Sequence, residues 1–201
     1  MTKNKIISAA LEEFAEHGYH AATIRNICKR AGVNIAAINY HFSGKAELYR
    51  RALEMTFAFK PPLPCGEKVQ SDSDMRTVMR DWVKTFLYRG TDKKTPENQL
   101  MKKIAHHEML NPSEIFDEII EVYLKPDVFS LESILRKGLP HDISEKEIKM
   151  RVFSTLGSCM FYFFHGRCIS KICTEGDFIE DNLAMIVDHI TDQSLLGLKF
   201  N

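Results

Sequence analysis

The chain has 201 residues, with 27 Lys and Arg against 27 Asp and Glu, and 44% of its residues are apolar. That apolar share at zero net charge excludes a disordered chain, and the longest apolar run, Cys159 to Phe164, is too short to cross a bilayer. Five scattered cysteines, and an N-terminus without the apolar core of a secretion signal, point to a reduced, cytoplasmic protein.

The first apolar stripe is Ile6, Ile7, Ala10, Leu11 and Phe14, and it predicts a helix that Gly18 stops. Thr23 can cap a second, short helix running to Ala31, with Ile24, Ile27 and Cys28 on its inner side. Gly32 ends that helix and Asn34 caps a third, Ile35 to His41. Ser43 precedes a fourth helix, 44–58, whose stripe is Ala46, Leu48, Tyr49, Ala52, Leu53 and Met55. From Lys60 to Ser73, three prolines and a glycine exclude a helix interior and mark a linker. Beyond it the pattern predicts helices near 73–89, 96–110, 113–136, 144–172 and 177–197. Thr95 and Pro96 start the second of these, Ser144 and Glu147 form a capping box, and Pro126 should kink or divide 113–136. No stretch alternates like a strand, so the fold class is all-α.

Charge divides at the linker. Residues 1–60 hold nine bases and five acids, a net +4, and the remainder is −4. A small basic module joined to a larger acidic one points toward nucleic acid. Within the basic module, residues 23–41 read as a helix-turn-helix, with Val33 plugging the angle between the helices. Ala36 and Ala37 are small enough to let a helix sit deep in a major groove. Asn39 can read an adenine edge, and Tyr40 or His41 can reach phosphates. Lys45, at the start of the fourth helix, adds a cation beside free backbone amides.

The segment TIRNICKRAGVNIAAINYHFSGKAELYRRAL, with IISAALEEFAEHGYHAAT before it, resembles the DNA-binding signature of the TetR/AcrR regulators. IAHHEMLNPSEIFDEIIEVYLKPDVFSLESIL resembles, more loosely, the C-terminal domain of the CecR-like (YbiH-type) branch. Asn39 stands where many members have an aromatic residue, and Ala36-Ala37 where a Gly-Thr type pair is common. The resemblance implies an N-terminal three-helix helix-turn-helix domain over 1–59 and a larger C-terminal ligand-binding and dimerisation domain over 73–201. It implies that Thr23, Arg25, Asn34, Ala36, Ala37, Asn39, Tyr40, His41 and Lys45 face DNA. Ile24, Ile27, Ala31, Val33, Ile38, Phe42 and Leu48 are then the small core.

In the larger part, 144–172 is apolar on more than one side, through residues such as Ile148, Val152, Phe153, Leu156, Cys159, Met160, Phe161 and Phe164. Such a helix is buried on more than one side. With 177–197 it is the expected homodimer surface; one monomeric core is the other use of both helices. A small apolar or amphipathic ligand would have Trp82, Phe86, Met101, His106, Met109, Phe116, Phe153, Met160 and Phe164 as candidate lining. Plain core is the alternative for each.

Little else carries chemistry. His106 and His107 are adjacent, not at the i, i+4 spacing of a zinc helix, and His165, Cys168 and Cys173 are a weak ligand set. No catalytic triad, phosphate loop or dinucleotide motif is present, so neither an enzyme nor a cofactor is expected. The expected function is a dimeric regulator, more often a repressor, that binds a palindromic double-stranded DNA operator and is released by a small molecule. The alternatives are a DNA-bound protein of the same fold that answers to a protein partner, and an enzyme built on a helical bundle.

Overall fold

The computed structural model describes residues 2–57, 61–91, 95–140, 142–173 and 176–198, and among these every element is helical and no strand occurs. The expected boundary at residue 59, the end of 44–58 and Lys60 lie outside the described residues. The chain forms two compact units, one from Met1–Lys60 with Asp92–Glu121, the other from Pro61–Thr91 with Val122–Asn201.

The first unit contains α1 (Thr2–Ala21), α2 (Ile24–Ala31), α3 (Ile35–His41), α4 (Lys45–Phe57), α6 (Pro96–Leu110) and the single turn α7 (Phe116–Ile119). Its core joins the whole predicted α1 stripe to Ile27, Ala31, Ile38, Phe42, Leu48, Tyr49, Ala52 and Leu53. Ile24 and Val33 are half-buried at its edge. α1 packs on α2, α4 and α6. Gly18, at φ 72° and ψ 170°, breaks the last turn of α1, where a Cβ would stand 3.0 Å from the His107 ring.

The assignment of α6 and α7 differs from the 73–201 domain expected from the resemblance. α6 buries Met101 and Ile104 together with a carboxylate, Glu108, and packs on α1 and α4. The segment therefore belongs, by its own packing, with the helix-turn-helix. Its apolar pattern alone does not name the neighbour.

The second unit contains α5 (Asp72–Thr91), α8 (Lys125–Leu135), α9 (Glu145–Ile172) and α10 (Phe178–Ser194). Met75, Met79, Trp82, Val83 and Phe86 make the inner stripe of α5, which packs on α8, α9 and α10, where Leu131, Ile134, Ile148, Val152, Cys159, Val187 and Ile190 are buried. The linker is not a loose tether. A 3-10 turn, Gly66–Lys68, packs on α8 and α5, and the Gly66 N–H donates to the Ser133 hydroxyl at 2.8 Å. Arg89 is buried and pairs with Asp127 at 2.9 Å, holding α5 to α8. Between α7 and α8 the chain makes a π turn, Ile120–Leu124. Pro126, in the first turn of α8, lacks the N–H that a continuous α-helix would need there, so the predicted 113–136 helix divides.

A Cβ on Gly66 would lie 2.1 Å from the Ser133 carbonyl oxygen, which is backbone and cannot swing aside. We expect Gly66→Ala to lower the urea midpoint by the equivalent of about 1–3 kcal/mol. Gly166→Ala, whose Cβ would meet Ile179 at an ordinary 3.4 Å, should leave the midpoint unchanged or raise it.

Candidate nucleic-acid interface

The helix-turn-helix is built by backbone capping. The Thr23 Oγ1 accepts from the Asn26 N–H at 3.1 Å and starts α2. Gly32 closes it at φ 63° and ψ 40°, with its own N–H on the Lys29 carbonyl and the Val33 N–H on the Cys28 carbonyl. These two bonds form a Schellman motif, which satisfies the last carbonyls of α2 and turns the chain. The Asn34 Oδ1 then accepts from the Ala37 N–H at 2.9 Å and starts α3.

This turn fixes which face of α3 is free. Ile38 is fully buried and Phe42 nearly so, which makes Phe42 core. Ile35, Ala36, Asn39 and Tyr40 are exposed, Tyr40 at 85%. Ala37 and His41 are half-buried at the margin, and the His41 ring lies edge-on to Tyr40 at 4.9 Å. Thr23, Arg25 and Asn34 are exposed on α2 and the turn. Lys45 departs from the rest. Its ammonium turns inward, donating to the His20 carbonyl at 3.2 Å above the Tyr19 ring, and burial lowers its pKa. In this arrangement Lys45 ties α4 to the end of α1.

Charge in the first 60 residues is sorted with similar economy. Arg30 holds Glu12, Glu13 and Glu16, while Arg50 and Arg51 hold Glu47 and Arg51 holds Glu54. All five acids of this segment thus face arginines. Lys3, Lys5, Arg25 and Lys29 are exposed and have no acidic partner among the described residues. Lys5 brings its ammonium to the turn, 3.6 Å from where a Gly32 Cβ would be. Sequence reasoning missed Lys5, because only tertiary packing sets α1 beside the turn. It also missed Ile35, whose place directly after the Asn34 cap was the available clue.

Behind the reading face, α6 is fastened to α4 and α1. The buried Glu108 carboxylate accepts from the Tyr49 hydroxyl at 2.7 Å, and from the Ser113 N–H and hydroxyl at 3.0 and 3.1 Å. Arg50 adds a two-oxygen grip on Glu118 at 2.7 and 3.0 Å. The Tyr19 hydroxyl donates to Glu114, and His20 Nε2 meets the Pro112 carbonyl at 2.9 Å. Burial and the neighbouring carboxylates raise the pKa of both tyrosines, so they stay protonated donors.

The nine candidate ligand residues are divided between the two units. Met101 is buried in the first unit, where His106 and Met109 are exposed and Phe116 half-buried. In the second, Trp82 is core, stacked on Phe86 at 5.1 Å with its Nε1 donating to Ser130 at 2.7 Å. Met160 and Phe164 are half-buried, and Phe153 is 57% exposed. A groove of about 260 Å³ between α9 and α10 is lined instead by Met150, Arg151, Ser154, Ser158, Gln193 and Ser194, among others. The donor atoms of His165, Cys168 and Cys173 do not gather either. Among the described residues the one such cluster is Glu13, Glu16 and His17, and Arg30 already occupies its carboxylates. Burial pushes the Cys159 thiol up to about 12, so it is an inert core group.

Residues 6–52 match the tetR family of bacterial regulatory proteins, and residues 75–198 match the C-terminal domain of the HTH-type transcriptional dual regulator CecR. The chain belongs to the TetR family, with a CecR-type C-terminal domain. It is 24% identical over 168 residues to the dual regulator CecR of Shigella flexneri, covering 80% of this chain and 74% of that one. It is 24% identical over 139 residues to the probable regulator YttP of Bacillus subtilis, spanning 68% of this chain and a little under two thirds, 64%, of YttP. A transcriptional regulator from Rhodococcus sp. Rha1 shares the fold at a TM-score of 0.66, with 20% identity over 98% of both chains. This TetR-family chain is therefore a DNA-binding transcriptional regulator and not an enzyme. No helix among its described residues is long and apolar enough to cross a membrane.

The Glu108 cluster makes a prediction about stability in this regulator. Tyr49→Phe leaves a buried carboxylate short of one donor and should cost about 1–3 kcal/mol in urea unfolding. Truncating Tyr40, whose side chain is in solvent, should change stability by less than about 0.5 kcal/mol.

Proposed function

We propose that this chain is a homodimeric repressor that reads a palindromic operator and is released by a small molecule. The observation that carries the DNA half of this reading is the exposed face of α3, held between two satisfied caps and flanked by unpaired cations. In this proposal Ala36, Ala37 and Asn39 meet base edges, and Tyr40 and His41 meet the backbone beside them. Thr23 and Arg25 at the start of α2 reach phosphates, as does the Asn34 amide group, since its oxygen is used in capping. Lys45 acts by position, fixing α4 under α3.

The dimer rests on the two-sidedness of α9. Its inner row, Ile148, Val152, Leu156, Cys159 and Phe163, is buried. Its outer row, Met150, Phe153 and Phe161, is at least half exposed, with Gly157 among them and nothing within 4 Å of a Cβ there. An apolar row with a small residue at its middle suits a second copy of the same helix. Two recognition helices set about 34–36 Å apart by a two-fold axis then read inverted half-sites.

Repression is supported by the names of relatives. IcaR of Staphylococcus epidermidis, 37% identical over 57 residues, is a negative regulator of a biofilm operon, although CecR is a dual regulator. A small-molecule trigger is supported by the fold neighbour SmeT, solved with triclosan, at a TM-score of 0.63. The chain crosses between its two units at 60–61, 91–92 and 121–122. A ligand that binds the second unit acts through these crossings on α6, and through α6 on α4. It shifts the equilibrium only by its preference for one separation of the reading heads over the other.

The full chain should retard DNA from its own promoter region in a gel, with affinity falling linearly in log salt. Tyr40→Ala should lose that shift and still sediment as a dimer; unchanged binding would remove Tyr40 from the interface. Phe153→Asp should sediment as a monomer with wild-type helicity, and a dimeric Phe153→Asp would exclude the outer face of α9 as the interface.

A further inference from the structure

We infer that the base pairs under α3 are A·T pairs, with thymine methyl groups against Ile35 and Ala36 and an adenine edge against Asn39. The inference rests on the DNA-reading role proposed above and specifies which bases that role selects.

One face of α3 has the composition that selects these bases. At about 100° per residue, Ile35, Asn39, Ala36 and Tyr40 follow one another across a single arc of α3. All four are exposed, whereas Ile38 on the far side is fully buried. The arc carries no charge. Guanine is read most often by Arg or Lys at O6 and N7, and cytosine N4 by Asp or Glu. None of these residue types occurs anywhere from Ile35 to His41. The unpaired cations, Lys3, Lys5, Arg25 and Lys29, belong to α1 and α2. They supply affinity for phosphate, which carries no sequence information.

Ile35 is the anomaly. It is 51% exposed in the first turn of α3, next to the Asn34 cap, while the isoleucines at 24, 27 and 38 are half-buried or buried. A β-branched side chain there adds nothing to helix propensity and contributes little to the core. The major groove offers it one apolar partner, the C5-methyl of thymine. The Ala36 methyl, on the same arc, has the same chemistry at shorter reach. Asn39 lies one turn beyond Ile35 and makes no hydrogen bond among the described residues, so its amide is free to pair with adenine N6 and N7. A methyl contact and an amide pair one turn apart are both satisfied by A·T pairs, and neither is satisfied by G·C.

The test uses the full chain and two chemical edits of DNA. Selection from a random duplex library gives the preferred half-site. In that duplex each thymine is replaced by uracil, which removes only the C5-methyl, and each adenine by 7-deazaadenine, which removes only N7. We expect an A·T-rich half-site centre. At one or two positions uracil should weaken wild-type binding about fourfold, the worth of one buried methyl-sized group. Ile35→Ala, checked for folding by its helicity, should lose the preference for thymine over uracil at the position Ile35 reads and keep it at a position read by Ala36. At the adenine read by Asn39, 7-deazaadenine should weaken the wild type but not Asn39→Ala. A half-site with G·C at its centre, or wild-type indifference to uracil at every position, overturns the inference while leaving DNA reading intact. A selection that enriches no duplex overturns both, so the two failures are separable.

Discussion

Glu108 is a carboxylate in a place where an unpaired charge is expensive, the interior of the first unit. It is tolerated because three donors meet it, the Tyr49 hydroxyl from α4 and the N–H and hydroxyl of Ser113 beyond α6. The donors come from two separate pieces of backbone, α4 and the turn after α6. The carboxylate therefore demands that α4, α6 and the turn after α6 keep one arrangement. Arg50 on Glu118 and the His20 contact with the Pro112 carbonyl repeat the demand nearer the surface. Where apolar packing alone would let helices slide, directional hydrogen bonds to a buried acceptor do not.

That constraint gives the reading head more than its three signature helices. α3 is short, seven residues, and one helix of that length cannot hold itself in place. It is held by Ile38 and Phe42 in the core of α1, α2 and α4, which α6 and its Glu108 cluster brace from outside. Charge follows the same division of labour. Three arginines pair with the five acids of the first 60 residues, and unpaired lysines stand at the start of α1 and on α2. A chain of zero net charge thereby presents a locally cationic surface beside an uncharged reading helix.

The local features of this fold were legible because they obey local rules. Thr23, Gly32, Asn34 and Ser144 are caps whose chemistry does not depend on what lies across the core, and Pro126, inside an apolar helical pattern, breaks the α-helical ladder by lacking an N–H. The stripes of α1 and α4 were legible as well, since a single period sets them. What stayed hidden is non-local. Nothing in the pattern of 96–110 says that its neighbours are α1 and α4, because Met101 and Ile104 would suit any apolar groove. Lys45 sits where a phosphate ligand is expected, and that its ammonium donates to the His20 carbonyl over the Tyr19 ring is a tertiary contact. Trp82 and Phe86 have the composition of a ligand wall, and their stacking on each other is a tertiary fact that the sequence does not display. Ile35 stood in neither the core set nor the DNA-facing set, and only its exposure separates it from Ile24, Ile27 and Ile38.

The central claim is that residues 96–110 are part of the reading head, opening and closing with it. Native-state hydrogen exchange in rising urea measures this amide by amide, since segments that open together share one free energy and one urea dependence. The slowest amides of α6 should converge with those of α1 and α4 on a common opening. Convergence of α6 with α5 and α9, or a separate opening of α6 at lower free energy, would contradict the account.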